Sequence, residues 1–257
     1  MAQLKLGKLP ARKGAISLKF TDYIDLTKFP KVPDQFGHEN LVKSVDWGML
    51  GNDQAGNCVF AGAAHETMMW SLMGESNCAN FSTKSVISDY SAVTGYNGNP
   101  STDHGTDMQV AASYRKKIGI LDADGNRHKV EAYLALPVGN LQIHLIALYL
   151  FGAVGIGILF PQSAMEQFNN GEVWDIVPNS SIEGGHYVPL VAKRDNIMCV
   201  TWGAKQGMTE EFFQRYNDES VVYLSPEMFV NRKSPEGFDY DQLLSDLQHL
   251  NPSSPVK

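Results

Sequence analysis

The chain is poor in the features that mark several common protein classes. Three cysteines, Cys58, Cys78 and Cys199, occur in 257 residues, an odd and sparse count that argues against a disulfide scaffold and for a reduced, cytoplasmic setting. No Cys-x-x-Cys or His-Glu-x-x-His is present, so a zinc site has no sequence support. No glycine-rich loop matches a phosphate or dinucleotide fingerprint, and no cofactor is expected. No run reaches the ~18 apolar residues of a membrane span. The longest apolar region, 145–160, is broken by Gly152, Gly155 and Gly157. An apolar secretory segment is missing at the N-terminus. Positive charge is also in deficit, with 21 Lys and Arg against 28 Asp and Glu and a formal net charge of -7, which argues against a nucleic-acid partner.

What is present fits a globular enzyme-sized unit. Hydrophobic residues make up 43% and charged residues 19%, enough for one large domain or two packed lobes. Residues 1–37 carry Pro10, Pro30 and Pro33 and read as an extended arm with a short strand at 15–20. Lys5, Lys8, Arg12, Lys13 and Lys19 precede the first acid of this arm, Asp22. Such a segment is a solvated arm or docks on an acidic partner or second subunit. Helices are predicted at 59–73, 83–93, 107–117, 141–150 and 163–170, and strands at 154–160, 186–192, 197–202 and 220–224. The first half is mainly helical and the second β-rich. The expected class is therefore α+β in two lobes, a helical lobe at 38–125 and an antiparallel β-rich lobe at 126–235, with a tail at 236–257 that is irregular around Pro252 and Pro255.

Two residues carry the chemistry. Cys58 follows Gly56-Asn57 at a predicted helix start, where unsatisfied backbone N–H groups favour a thiolate. The competing reading is a small buried hydrophobe. His186 opens an apolar strand directly after Gly184-Gly185, and a cysteine with a histidine is the minimal pair for activating a thiol. His65 lies seven residues beyond Cys58, on the same helix face but roughly 10 Å along it, and reads as a satisfied core histidine. Asp103-His104 and Asp107 are the one candidate metal cluster, although capping of the next helix by Thr106 or Asp107 accounts for the acids.

Around these residues the sequence resembles the papain-like cysteine peptidase superfamily, as a divergent member of bacterial or phage type. Asn52-Asp-Gln-Ala-Gly-Asn-Cys58-Val-Phe-Ala resembles the family's cysteine block. Gly184-Gly-His186-Tyr-Val-Pro-Leu-Val-Ala-Lys193 resembles its histidine strand. Ile197-Met-Cys-Val-Thr-Trp202-Gly203 is similar to the strand that ends in tryptophan-glycine. The glycine-rich stretch 151–158 with 168–174, and the segment from Tyr96-Asn97 to Asp103-His-Gly105, complete five blocks in the family's order over about 44–225.

The resemblance implies a papain-like two-lobe fold and a peptide or protein substrate. It implies Cys58 as nucleophile, His186 as base, Trp202 as cover of the pair, and a thioester intermediate. Gln54 is the favoured oxyanion donor, although it lies four residues before Cys58, whereas Asn52 stands at the family's six-residue offset and is the alternative. A second departure is Val200, which stands two before Trp202 where the family has a histidine-orienting asparagine. Thr201 is adjacent and is a candidate orienting residue, although alternation places it on the opposite strand face. Two functions therefore stay open: a cysteine peptidase or related acyltransferase, and a catalytically weakened papain-fold binding or assembly protein. The family's inhibitory prosegment is longer than residues 1–37, so either such control is absent or the arm occupies part of the cleft.

Overall fold

A computed structural model describes residues 4–23, 31–43 and 47–250. In chain order the elements are α1 (Phe20–Tyr23), β1 (Phe36–Gly37), α2 (Cys58–Met73), α3 (Thr83–Thr94), α4 (Met108–Lys117), β2 (Ile120–Leu121), β3 (Arg127–His128), β4 (Ala132–Ala135), α5 (Leu141–Phe151), β5 (Val154–Pro161), α6 (Gln162–Asn170), β6 (Ile182–Lys193), β7 (Ile197–Thr201), β8 (Ala204–Met208), α7 (Glu210–Tyr216), β9 (Asn217–Leu224) and α8 (Tyr240–Leu250). The order of elements is α+β, with helices first and an antiparallel sheet after them. The segment at 15–20 is not a strand: Lys19 makes one isolated bridge to Ala135, and Phe20 begins the short helix α1. The tail around Pro252 and Pro255 lies outside the described residues.

The sheet runs β4-β9-β5-β6-β7-β8, with the short β1 also paired to β6. Every pairing among these strands is antiparallel. Alternation along β6 feeds two cores. Tyr187 and Val191 join α2, α3 and α4 in the first, and Val188 and Leu190 join α5, α6 and α7 in the second. The helix α2 is buried along almost its whole surface, only Leu72 being partly exposed. A helix that is buried on all sides is a central core element rather than an amphipathic cover.

A buried ion pair ties the helices of the first core to the sheet. Arg115 of α4 meets Glu66 of α2 at 2.6 Å, with both side chains at most 2% exposed. The Tyr187 hydroxyl of β6 donates to the second Glu66 oxygen at 2.6 Å. The Arg115 guanidinium lies 3.8 Å from the centroid of the Tyr223 ring of β9. This network fixes the middle of α2 against β6, the two elements that carry Cys58 and His186.

Candidate active site

Cys58 begins α2, and its side chain is buried. The preceding Asn57 does not cap the helix with its side chain; its amide donates to Leu50 O at 2.9 Å instead. The first-turn N–H groups therefore stay unpaired by any side-chain cap, and no acidic residue occupies that turn. Asp103 accepts the Gly56 N–H on both carboxylate oxygens at 3.0 Å and also bonds the Tyr90 hydroxyl. This aspartate, read from sequence as a metal candidate, is committed to holding the loop that presents Cys58. Asp107 caps α4 by accepting from Val110 N at 2.9 Å, and also binds Arg12.

His186 is fully buried. Its Nε2 lies 2.7 Å from the Thr201 hydroxyl, and its ring stacks on Trp202 at 4.4 Å with an interplanar angle of 18°. Phe160 meets it edge-on at 5.5 Å. Its Nδ1 has no hydrogen-bond partner among the described residues. The backbone amides of Tyr187, Gly7 and Val59 lie near enough to the Cys58 sulfur to favour its thiolate, and Tyr187 is the residue after His186. The structure thus brings Cys58 and the His186 strand together at one point.

Three expectations change at this point. Gln54, the favoured oxyanion donor, is exposed. Asn52 is 2% exposed, and its amide donates to Lys5 O and to Ala55 O, both at 3.1 Å. Offset from the cysteine, rather than the residue type glutamine, decides which amide turns inward. Thr201 was expected to face away from the histidine, yet it contacts it. Alternation did hold: Val200 points to the first core beside Cys58, and Thr201 to the opposite face. His186 shares that opposite face with Val188 and Leu190, so the histidine lies on the Thr201 side and not on the Val200 side. His65 bonds Trp47 O at 2.9 Å and Gly48 O at 3.1 Å, holding the segment whose Gly48 bridges to Gly203 beside Trp202.

The feature that sequence reading left open is the arm. Residues 4–9 cross the cleft directly over Cys58. Lys5 N donates to Asn52 O at 3.0 Å, and Lys5 O accepts from Asn52 and from the Trp202 indole at 3.2 Å. Gly7 N and Lys8 N both donate to Gly185 O, at 3.1 and 3.0 Å. On the other wall Thr106 N donates to Gly7 O at 2.7 Å and Leu9 N to Thr106 O at 3.0 Å. Gly7 has to be glycine: a Cβ there would sit 1.8 Å from Gly56 O, the residue two before Cys58. Beside the crossing, an open cavity of about 690 Å³ lies between arm residues 11–16 and 217–220.

Under the arm the pair is neutral. Burial pushes the Cys58 thiol up to about 11, against the three amides and the Lys8 charge, which all favour the thiolate. Burial pushes His186 down to about 3.

Solved structures share this architecture at low sequence identity. Xylellain, a cysteine protease from Xylella fastidiosa, matches with a TM-score of 0.66 and 13% identity, over 87% of this chain and 97% of that one. The procathepsin B S9 of Trypanosoma congolense matches with a TM-score of 0.61 and 12% identity, over 86% of each chain. The Carica candamarcensis cysteine protease CMS1MS2, solved with E-64, matches with a TM-score of 0.52 and 12% identity, over 76% of this chain and 99% of that one. No protein-family model and no curated protein sequence matches the chain. The chain has the papain-like fold, with mixed helices and antiparallel sheet.

Proposed function

We propose that this papain-fold chain is a cysteine peptidase held latent by its own N-terminal arm. The observation that carries the reading is the crossing of residues 4–9 over Cys58, hydrogen-bonded to both cleft walls as a bound peptide would be. The arm sets Gly7 beside the sulfur, with its N–H given to Gly185 O and its carbonyl to Thr106 N, so its backbone is held by the cleft walls and covers the nucleophile.

With the arm displaced, water reaches the site and the burial that holds the thiol neutral is relieved. The helix N-terminus and the Tyr187 and Val59 amides then favour the thiolate. The Nε2–H tautomer of His186 donates to Thr201 and leaves Nδ1 as the acceptor for the thiol proton. Cys58 attacks the substrate carbonyl, and the oxyanion is met by the Asn52 side-chain amide and the Cys58 N–H. Collapse forms the thioester and releases the amine, which takes the proton from His186. Water, deprotonated by His186, then hydrolyses the thioester and frees the thiol.

A second reading, a papain-fold binding protein without turnover, draws on one observation: Cys58 and His186 are both buried and neutral in the intact chain. Gly7→Leu in the full chain separates the two, because no side chain fits between Gly7 and Gly56. Peptide hydrolysis by Gly7→Leu that vanishes in Gly7→Leu/Cys58→Ala supports the peptidase. A folded Gly7→Leu chain that binds peptides but forms no acyl-Cys58 adduct supports the binding protein.

A further inference from the structure

Lys8 sends a charged side chain from the crossing into the protein. Its side chain is fully buried, and its ammonium lies 2.7 Å from Asp218 and 3.9 Å from Glu219 on β9, and 3.1 Å from Leu9 O. The stem passes over Gly157 of β5, where a Cβ would sit 2.1 Å from Lys8 Cε. Gly185 on β6 leaves room for the Lys8 backbone in the same way, a Cβ there lying 2.2 Å from Lys8 O. Three adjacent strands thus shape a slot with a glycine floor and two carboxylates at its end.

Such a slot favours a cation strongly. Two adjacent carboxylates withdrawn from water repel each other, and a buried charge needs an opposite partner. Burial, with Asp107 and Asp218 nearby, lifts Glu219 to about 7, against the pull of Lys8 and Arg12. One oxygen of Asp218, Oδ1, is buried without a hydrogen-bond partner even with Lys8 in place. A forked guanidinium can reach two carboxylate oxygens at once, whereas an ammonium acts as a single point charge.

Resting on the peptidase reading, we infer that the Gly157–Asp218–Glu219 slot selects substrates with a lysine or arginine side chain adjacent to the residue held over Cys58, and that Lys8 fills it in the latent chain as a stand-in for that side chain. A guanidinium has a second donor to offer the unpartnered Asp218 Oδ1, so arginine is expected to bind at least as well as lysine. The same slot explains how a lysine of the arm comes to be buried: its charge is matched by carboxylates 210 and 211 positions away in sequence.

The test uses the full-length Gly7→Leu chain, in which the arm cannot reseat, and synthetic six-residue peptides of the sequence Leu-Lys-Leu-Gly-X-Leu. X is lysine, arginine, norleucine or glutamate, and binding is measured by calorimetry. Lysine and arginine peptides are expected to bind roughly 30-fold or more tightly than norleucine, the scale for a buried charge pair losing one partner. Asp218→Asn/Glu219→Gln in the same chain should abolish that difference. Equal binding of lysine and norleucine peptides overturns the inference, as does failure of a folded Gly7→Leu chain to bind any of them. Lys8→Ala provides a second background that empties the slot, should Gly7→Leu not fold. Hydrolysis of neutral peptides without a basic preference would leave the peptidase standing and the slot refuted. A basic binding preference without hydrolysis would do the reverse.

Discussion

The Nε2 of His186 and the hydroxyl of Thr201 lie 2.7 Å apart on adjacent strands, one residue closer to Trp202 than the position where an orienting group was expected. A hydroxyl can accept the imidazole N–H as an amide oxygen does, so it fixes the tautomer and the ring angle. Trp202 stacked on the other side leaves the ring little freedom. In the Gly7→Leu background, Thr201→Val is therefore expected to lower kcat by roughly 10- to 100-fold with little change in KM, less than the roughly 10²- to 10⁴-fold contribution of a positioned acid or base, because the base itself is kept and only its orienting partner is lost. Thr201→Ser should restore most of that loss and return the pH profile to its original shape. A Thr201→Val chain with unchanged kcat and pH profile would remove Thr201 from the site.

The Glu66–Arg115 pair should matter for stability more than its single contact suggests. Arg115→Met leaves Glu66 charged and buried, which costs about 3–5 kcal/mol. Adding Glu66→Gln removes the orphaned charge and keeps an acceptor for the Tyr187 hydroxyl, so the double variant should recover much of the loss. Urea unfolding of the single and double variants checks this. Equal stability of the two would show that the charge itself is not what the fold depends on.

Acid should destabilise the chain through its buried histidines. Burial lowers His144 to about 4 and His65 to about 4, from an ordinary 6.5. Below pH 6.5 the unfolded chain takes up protons that the folded chain refuses until about pH 4, so stability falls across that window. Glu219 acts in the opposite sense, since its folded pKa of about 7 adds stability as pH falls from 7 toward 4.5. A difference experiment isolates one group. His144 lies away from Cys58, with its ring nitrogens on Asn140 O and the Ser220 hydroxyl. His144→Asn should make the stability loss between pH 7.5 and pH 5 smaller by roughly 2 kcal/mol. An unchanged pH dependence would mean that His144 titrates normally in the fold.

Much of the architecture was legible because it rests on local pattern. The burial of α2 follows from an unbroken small and apolar run, and the positions of α3, α4, α5 and α6 from caps and periodicity. The short strands β4 and β8 and the helix α7 were not read, since five or so residues hold too little periodicity to stand out. The Cys58 and His186 neighbourhood was legible from spacing and glycine context. Thr201 was a candidate orienting residue, but its contact with His186 was not legible because alternation says which residues share a face and not which face the histidine occupies. Gln54 was preferred over Asn52 on residue type, although the turn at 51–55 exposes the first and buries the second. Lys8 was invisible for a different reason. A lysine in a proline-punctuated, basic arm looks solvated, and only its meeting with Asp218 in the folded chain makes it a buried anchor.

The most direct measurement is the rate at which a thiol-directed electrophile labels each cysteine near neutral pH, in the intact chain and in Gly7→Leu. Cys78 is half-buried, whereas Cys58 and Cys199 are buried and burial raises both of their pKa values. The account predicts that Cys78 labels first in the intact chain and that Cys58 overtakes both others by at least about tenfold once the arm is displaced. Cys58 labelling that stays slow in a folded Gly7→Leu chain would contradict it.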